Sequence, residues 1–190
     1  MMSLALAIPP ACADDSLPKL SDTERETLAS SLAQELPHLD QLDIDLWMLS
    51  AGPIIQRFNS NEDEQRQIMA QVLRMSHAYD IPTDLVLAVI EIESHFDRYA
   101  ISHAGALGLM QIMPFWIDEI GQPEDNLMTI DTNIRYGCAI LRYYLDRNQG
   151  SWHLALAGYN GSTGRTVYSK KVLDAWDQRW RFTRVTASED

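Results

Sequence analysis

The chain has 190 residues, 46% of them apolar and 22% charged, with a net charge of −12. That length buries one good core with at most a small appendage, and the composition is that of a folded protein rather than a disordered one. The acidic balance excludes an electrostatic grip on nucleic acid, which needs a basic face to displace counterions.

The chain opens MMSLALAIPPACADD, with a short apolar run from Leu4 to Ile8 and small residues at Ala11 and Ala13. Residues 1–13 therefore read as a signal peptide cleaved before Asp14, although no Lys or Arg precedes the run. Export to the periplasm is the expectation. Outer-membrane lipid anchoring through Cys12 is the alternative, which Pro9 and Pro10 fit poorly. With the leader removed, Cys138 stands alone and reads as a buried thiol in a helical pattern. The five histidines show neither an HExxH motif nor an i,i+4 pair, so no metal and no cofactor are expected.

Residues 14–60 read as a helical N-terminal extension. Ser21 with Glu24 resembles a capping box opening a helix through about Leu36, which Pro37 stops. From Leu39 to Phe58 a partial stripe of Leu42, Leu46, Trp47 and Leu49 is broken at Gly52-Pro53. Asn61 then caps a clear helix and opens the main domain, 61–182, leaving 183–190 as a tail. Pro82 supplies a first-turn proline for the next helix. After it come the glycine-bearing segment SHAGALGLMQIMP, the short amphipathic FWIDEI and a loop. Asp131 caps IRYGCAILRYYLDR, Ser151 caps WHLALAGY, and a last helix runs from about Val167 to Trp180. The fold class is mainly α, with no alternating strand of useful length.

The helix LVLAVIEIESHFD, Leu85 to Asp97, holds the informative residue. At 100° per residue, Val89 and Phe96 flank Glu93 on one side, and Val86 and Ile90 on the other. A carboxyl in an apolar stripe is costly to ionise, so its pKa rises until it can donate a proton near neutrality. Asp84, Glu91 and His95 fall on the far face, where Glu91 reads as solvated. Asp97 reads as a residue of the helix's terminal turn rather than a second reacting carboxylate.

The ordered pieces ESHFDRYAIS, GALGLMQIMP, NIRYG and LALAGYN, with YSKKVL as a weaker last one, resemble the soluble lytic transglycosylase type of lytic transglycosylase domain over about residues 66–176. The resemblance implies a lysozyme-like helical catalytic domain that cuts the β-1,4 bond between N-acetylmuramic acid and N-acetylglucosamine in peptidoglycan, leaving 1,6-anhydro ends. It implies Glu93 as the single catalytic acid, then base. It implies Ser94, Gln111, Met113, Tyr159 and Asn160 as substrate-binding residues, with the Tyr159 hydroxyl approaching the catalytic carboxyl. Peptidoglycan glycan strands are the implied partner, cell-envelope or secretion machinery a further candidate, and the chain a monomer. Two departures stand out. Gly158 replaces the family's usual Ala before the tyrosine, which predicts a looser helix end, and the stretch from Gly164 to Tyr168 is short. A goose-type-lysozyme-like hydrolase and a non-catalytic wall-binding or assembly protein on the same fold remain the alternatives.

Overall fold

The computed structural model describes residues 20–34, 38 and 40–181. The expected leader, Cys12 and the tail 183–190 lie outside the described residues. The first helix, α1 (Asp22–Leu32), opens on the expected capping box: the Ser21 side chain accepts from the Glu24 backbone N–H at 3.3 Å, and the Ser21 N–H donates to the Glu24 carboxylate at 2.8 Å. It stops at Leu32, one turn short of Leu36. The second helix, α2 (Gln41–Ile55), runs unbroken through Gly52-Pro53, where the sequence predicts an interruption. Pro53 faces solvent, so the carbonyl it leaves without a partner meets water, while Ala51, Gly52 and Ile55 on the opposite face are buried. Burial of that face outweighs the local cost of the proline.

Asn61 caps α3 (Glu62–Tyr79), accepting from the Glu64 N–H at 3.2 Å, and three acidic residues in the first turn suit the positive end of the helix. Pro82 precedes α4 (Thr83–Ser94). From Leu85 to Ile90 every residue of α4 is fully buried, and a helix apolar all round belongs at the centre of a domain. Then follow α5 (Phe115–Ile120), α6 (Ile130–Arg147), α7 (Trp152–Tyr159) and α8 (Val167–Ala175), and the last element among the described residues is a π-helical turn, Trp176–Trp180. The cap of α6 is Thr129, not the expected Asp131. Thr129 has the extended backbone that a cap requires and accepts from the Thr132 N–H at 3.4 Å, whereas Asp131 lies inside the first turn. Among the described residues β pairing is limited to two isolated bridges, Ile101 with Leu107 and Leu107 with Ile112.

Around α4 pack α3, α8 and the π-helical turn; α6 lies against α3, α7 and α1. The N-terminal helices share this core, with Leu28, Leu32, Ile44, Ala51 and Ile55 in the same buried cluster as α3 and α4. Polar contacts fix α1 as well: Arg25 pairs with Glu119 at 2.8 Å, Tyr143 donates to Glu24 at 2.9 Å, and Tyr79 donates to the Ser31 carbonyl at 2.9 Å. The Arg25–Glu119 pair is partly open to solvent and contributes little, so apolar burial carries most of the docking. Cys138 is buried on α6, and burial pushes its thiol well up, which makes it inert.

Candidate active site

Glu93 stands in the last turn of α4. Immediately after the helix, His95 and Phe96 take positive φ angles of 52° and 62°, turning the chain away. The residues beside Glu93 on its helix face, Val86, Val89 and Ile90, and Phe96 just beyond the helix end, have almost no accessible surface, yet Glu93 itself is only partly buried. The residue therefore keeps some contact with solvent while its carboxyl lies in an apolar bed. Oε1 accepts a hydrogen bond from the Tyr168 hydroxyl at 2.6 Å. Among the described residues no Lys or Arg forms an ion pair with Glu93. Burial pushes its pKa up from 4.5 to about 7, against a smaller downward pull from the Tyr168 hydroxyl. At neutral pH the group is thus poised to give a proton and to take one back.

Facing this helix end is the segment from Ser102 to Pro114, folded tightly on itself. Leu107 and Ile112 exchange both backbone hydrogen bonds at 2.9 Å, and Gly108 donates to the Ala100 carbonyl at 2.9 Å. The segment is stapled to its surroundings by Asn133 of α6, a buried amide. Its Nδ2 donates to the Leu107 and Leu127 carbonyls at 2.8 and 2.7 Å, and its Oδ1 accepts from the Met110 N–H at 2.7 Å. Gly108 lies directly beneath that amide: with φ of 74°, any Cβ here would sit 2.4 Å from Asn133 Nδ2. The glycine is required by close approach as well as by the turn.

The candidate substrate-binding residues divide by what their side chains hold. Ser94 is buried, and its hydroxyl donates to the Leu109 carbonyl at 2.8 Å, tying α4 to the glycine segment. Gln111, at a φ of 52°, donates its amide N–H groups to the Gly108 and Ala100 carbonyls at 2.9 and 3.2 Å. Met113 is half-buried against the core, and Asn160 is exposed at the end of α7. The Tyr159 hydroxyl donates to the Met110 carbonyl at 2.7 Å. Its phenol is pushed well up, by burial first and then by the nearby Glu93 charge. The hydroxyl bonded to Glu93 is that of Tyr168, at the start of α8, which the sequence reading did not select although it heads the YSKKVL piece.

Two expectations are corrected here. Glu91, read as solvated, is 6% exposed, with its carboxylate bound by the Arg179 guanidinium and the Trp180 indole N–H from the far end of the chain. Gly158, read as loosening the end of α7, is packed hard instead: a Cβ there would lie 2.5 Å from the Tyr144 ring. Asp97 is exposed and accepts from the Tyr99 N–H at 2.8 Å, a turn contact beyond the helix. Among the described residues no three His, Cys, Asp or Glu side chains cluster as metal ligands would.

A family profile described as the transglycosylase SLT domain matches residues 71–178. The membrane-bound lytic murein transglycosylase C of Haemophilus ducreyi is 29% identical over 140 residues, covering 65% of this chain and 37% of that protein. Its counterpart in Salmonella typhimurium is 30% identical over 135 residues, covering 62% of this chain and 38% of that one. The chain thus spans little more than a third of the length of these curated relatives. Among solved structures, an inactive mutant of the lytic transglycosylase Slt from Pseudomonas aeruginosa aligns with a TM-score of 0.47 and 29% identity, over 60% of this chain and 18% of that one.

Proposed function

This chain belongs to the transglycosylase SLT domain family, and from that premise we propose that it is a peptidoglycan lytic transglycosylase in which Glu93 acts first as acid and then as base. The observation that carries the reading is the state of Glu93: partly open to solvent, poised at about 7 by burial, and bound by one neutral hydroxyl rather than by a cation. A cation would have locked the carboxyl in its ionised form and removed its proton.

The chemistry asks for little more. Protonated Glu93 gives its proton to the leaving glycosidic oxygen as the C1–O4 bond breaks, while the sugar's own N-acetyl oxygen stabilises the anomeric carbon. The resulting carboxylate then takes the proton of the C6 hydroxyl as O6 bonds to C1. One bond breaks, one forms, and no water enters. The exposed position of Asp97 agrees with a single-carboxylate reaction, since a second carboxylate would be needed to act as nucleophile or to activate water. In this reading Ser94 and Gln111 shape the cleft wall through their ties to the glycine segment. Met113, Tyr159 and Asn160 line the path of the glycan strand. Action in the periplasm, after export, completes the proposal; among the described residues no helix is long and apolar enough to cross a membrane.

Mass spectrometry of products released from purified sacculi is the test. The wild type should yield ends lighter than reducing ends by one water, and Glu93→Gln should reduce release by about 10²–10⁴-fold while keeping its fold. Reducing ends from the wild type would instead establish a hydrolase, and undiminished release by Glu93→Gln would reject the assignment of the acid.

A further inference from the structure

Two carboxylates leave α4 only two residues apart, about 200° round the helix axis, and one stretch of chain holds both. On one side Tyr168, in the first turn of α8, donates to Glu93 at 2.6 Å. On the other, Glu91 is gripped at both oxygens. Arg179 Nη2 lies 2.8 Å from Oε1, Arg179 Nε donates to Oε2 at 3.1 Å, and the Trp180 indole N–H donates to Oε2 at 2.5 Å. Between these grips α8 gives way at once to the π-helical turn, closed by the Arg181 N–H on the Trp176 carbonyl at 2.7 Å. The wider turn brings the end of the segment round α4, where the fully buried Trp180 packs 5.6 Å from the ring of Phe96.

A buried carboxylate with an arginine seldom stabilises a fold more than well-packed apolar groups of the same shape would. What the pair supplies is geometry, because a two-pronged guanidinium contact fixes both distance and orientation. The geometry it fixes is the position of residues 168–180 on α4.

We infer that Glu91 is a positioning residue: by gripping Arg179 and Trp180 it seats the C-terminal segment on α4 and thereby holds the Tyr168 hydroxyl on Glu93. The titratable groups against Glu93 are the phenols of Tyr168 from α8 and Tyr159 from α7. Arg179 and Glu91 satisfy one another on the far side of α4, and Asp97 is exposed beyond the helix end. This arrangement makes the sign of one measurement decisive. If Glu91 acted on Glu93 only through charge, removing an anion and releasing the Arg179 cation would both favour ionised Glu93 and lower its pKa. If Glu91 acts through Tyr168, losing the hydroxyl donor favours the neutral acid and raises it.

The inference rests on the reading of Glu93 as the acid, so the test includes a readout that needs no turnover. Carbon-13 NMR of glutamate-labelled full-length protein, without substrate, follows the Glu93 carboxyl through pH in the wild type, Glu91→Ala, Trp180→Phe, Tyr168→Phe and the double variant Glu91→Ala/Tyr168→Phe. Glu91→Ala should raise the Glu93 pKa by about one unit, roughly the size of one hydrogen bond to a charged group. Tyr168→Phe should raise it as much, and the double variant no further, since both changes remove the same contact. Trp180→Phe keeps the buried ring and drops only the N–H. It should move Glu93 the same way by a smaller amount, and it decides the matter if Glu91→Ala does not fold. In sacculus assays the alkaline limb of kcat/KM should move upward with the NMR value. A Glu93 pKa that falls or stays put in Glu91→Ala, or in Trp180→Phe where that variant stands in for it, overturns the inference, as does an additive double variant. Upward NMR shifts in a protein that releases no muropeptides would leave the clamp standing and reject the proposed activity.

Discussion

Replacing Glu93 by Gln should make the protein more stable in alkaline solution, and the gain should vanish in acid. The side chains have the same shape, and Gln keeps an oxygen to accept the Tyr168 hydrogen bond. They differ in that Gln never ionises. Glu93 is raised from 4.5 to about 7 by folding, so the fold favours its neutral form. Stability from this group is complete below about pH 4.5, is lost progressively as pH rises toward 7, and stays lost above it. At about 1.4 kcal/mol per unit, the ceiling on that loss is about 3.5 kcal/mol. Because Glu93 keeps some contact with solvent, about 1–2 kcal/mol is the expected size. Urea unfolding followed by circular dichroism at about pH 4, 6 and 8 reads the gap directly, with equal m values confirming that only stability has changed. Wild type and variant should unfold together at the lowest pH, and the variant should lead increasingly above it. A gap that is flat across pH, or a variant less stable at pH 8, would refute the reasoning that the apolar bed strains the ionised acid. The lead in stability is the energetic counterpart of lost catalysis, since the strain that Gln removes is what keeps the proton available.

Gly108→Ala should cost about 2–4 kcal/mol in the same unfolding assay, because the new methyl meets Asn133 at 2.4 Å and the Leu127 carbonyl at 2.7 Å with φ held positive. A loss under about 0.5 kcal/mol would mean that Asn133 does not clamp the segment as described. Gly158→Ala should destabilise by about 1 kcal/mol, the overpacking against Tyr144 exceeding the better helix propensity of alanine. In a Tyr144→Ala background the same change should become stabilising, and an unchanged sign there would return Gly158 to the role of a loose helix end.

How much of this protein was legible in its sequence depended on how far apart along the chain the partners lie. The caps at Ser21, Asn61 and Ser151, the proline before α4 and the apolar face around Glu93 are set by residues within one or two turns of each other, so periodicity and spacing reveal them. The order of ESHF, GLMQ, NIRYG and GYN carried the family assignment for the same reason. Where contacts joined distant segments, pattern reading failed in specific ways. Glu91 falls on the polar side of a helical wheel, and only the return of Arg179 and Trp180, 88 and 89 residues later, turns that side into an interior. Tyr168, 75 residues beyond Glu93, gained its place from the crossing of α8 over α4. Pro53 stayed helical because burial of the opposite face of α2 outweighed a local penalty, and Gly158 proved tight because Tyr144 of the neighbouring helix fills its missing side chain. The sequence by itself determined that an acid would sit in oil at the end of one helix, since that follows from neighbours a turn away. Which hydroxyl meets the acid, and what holds that hydroxyl there, was decided only when the helices packed, because side chains so far apart in the chain share no local signal.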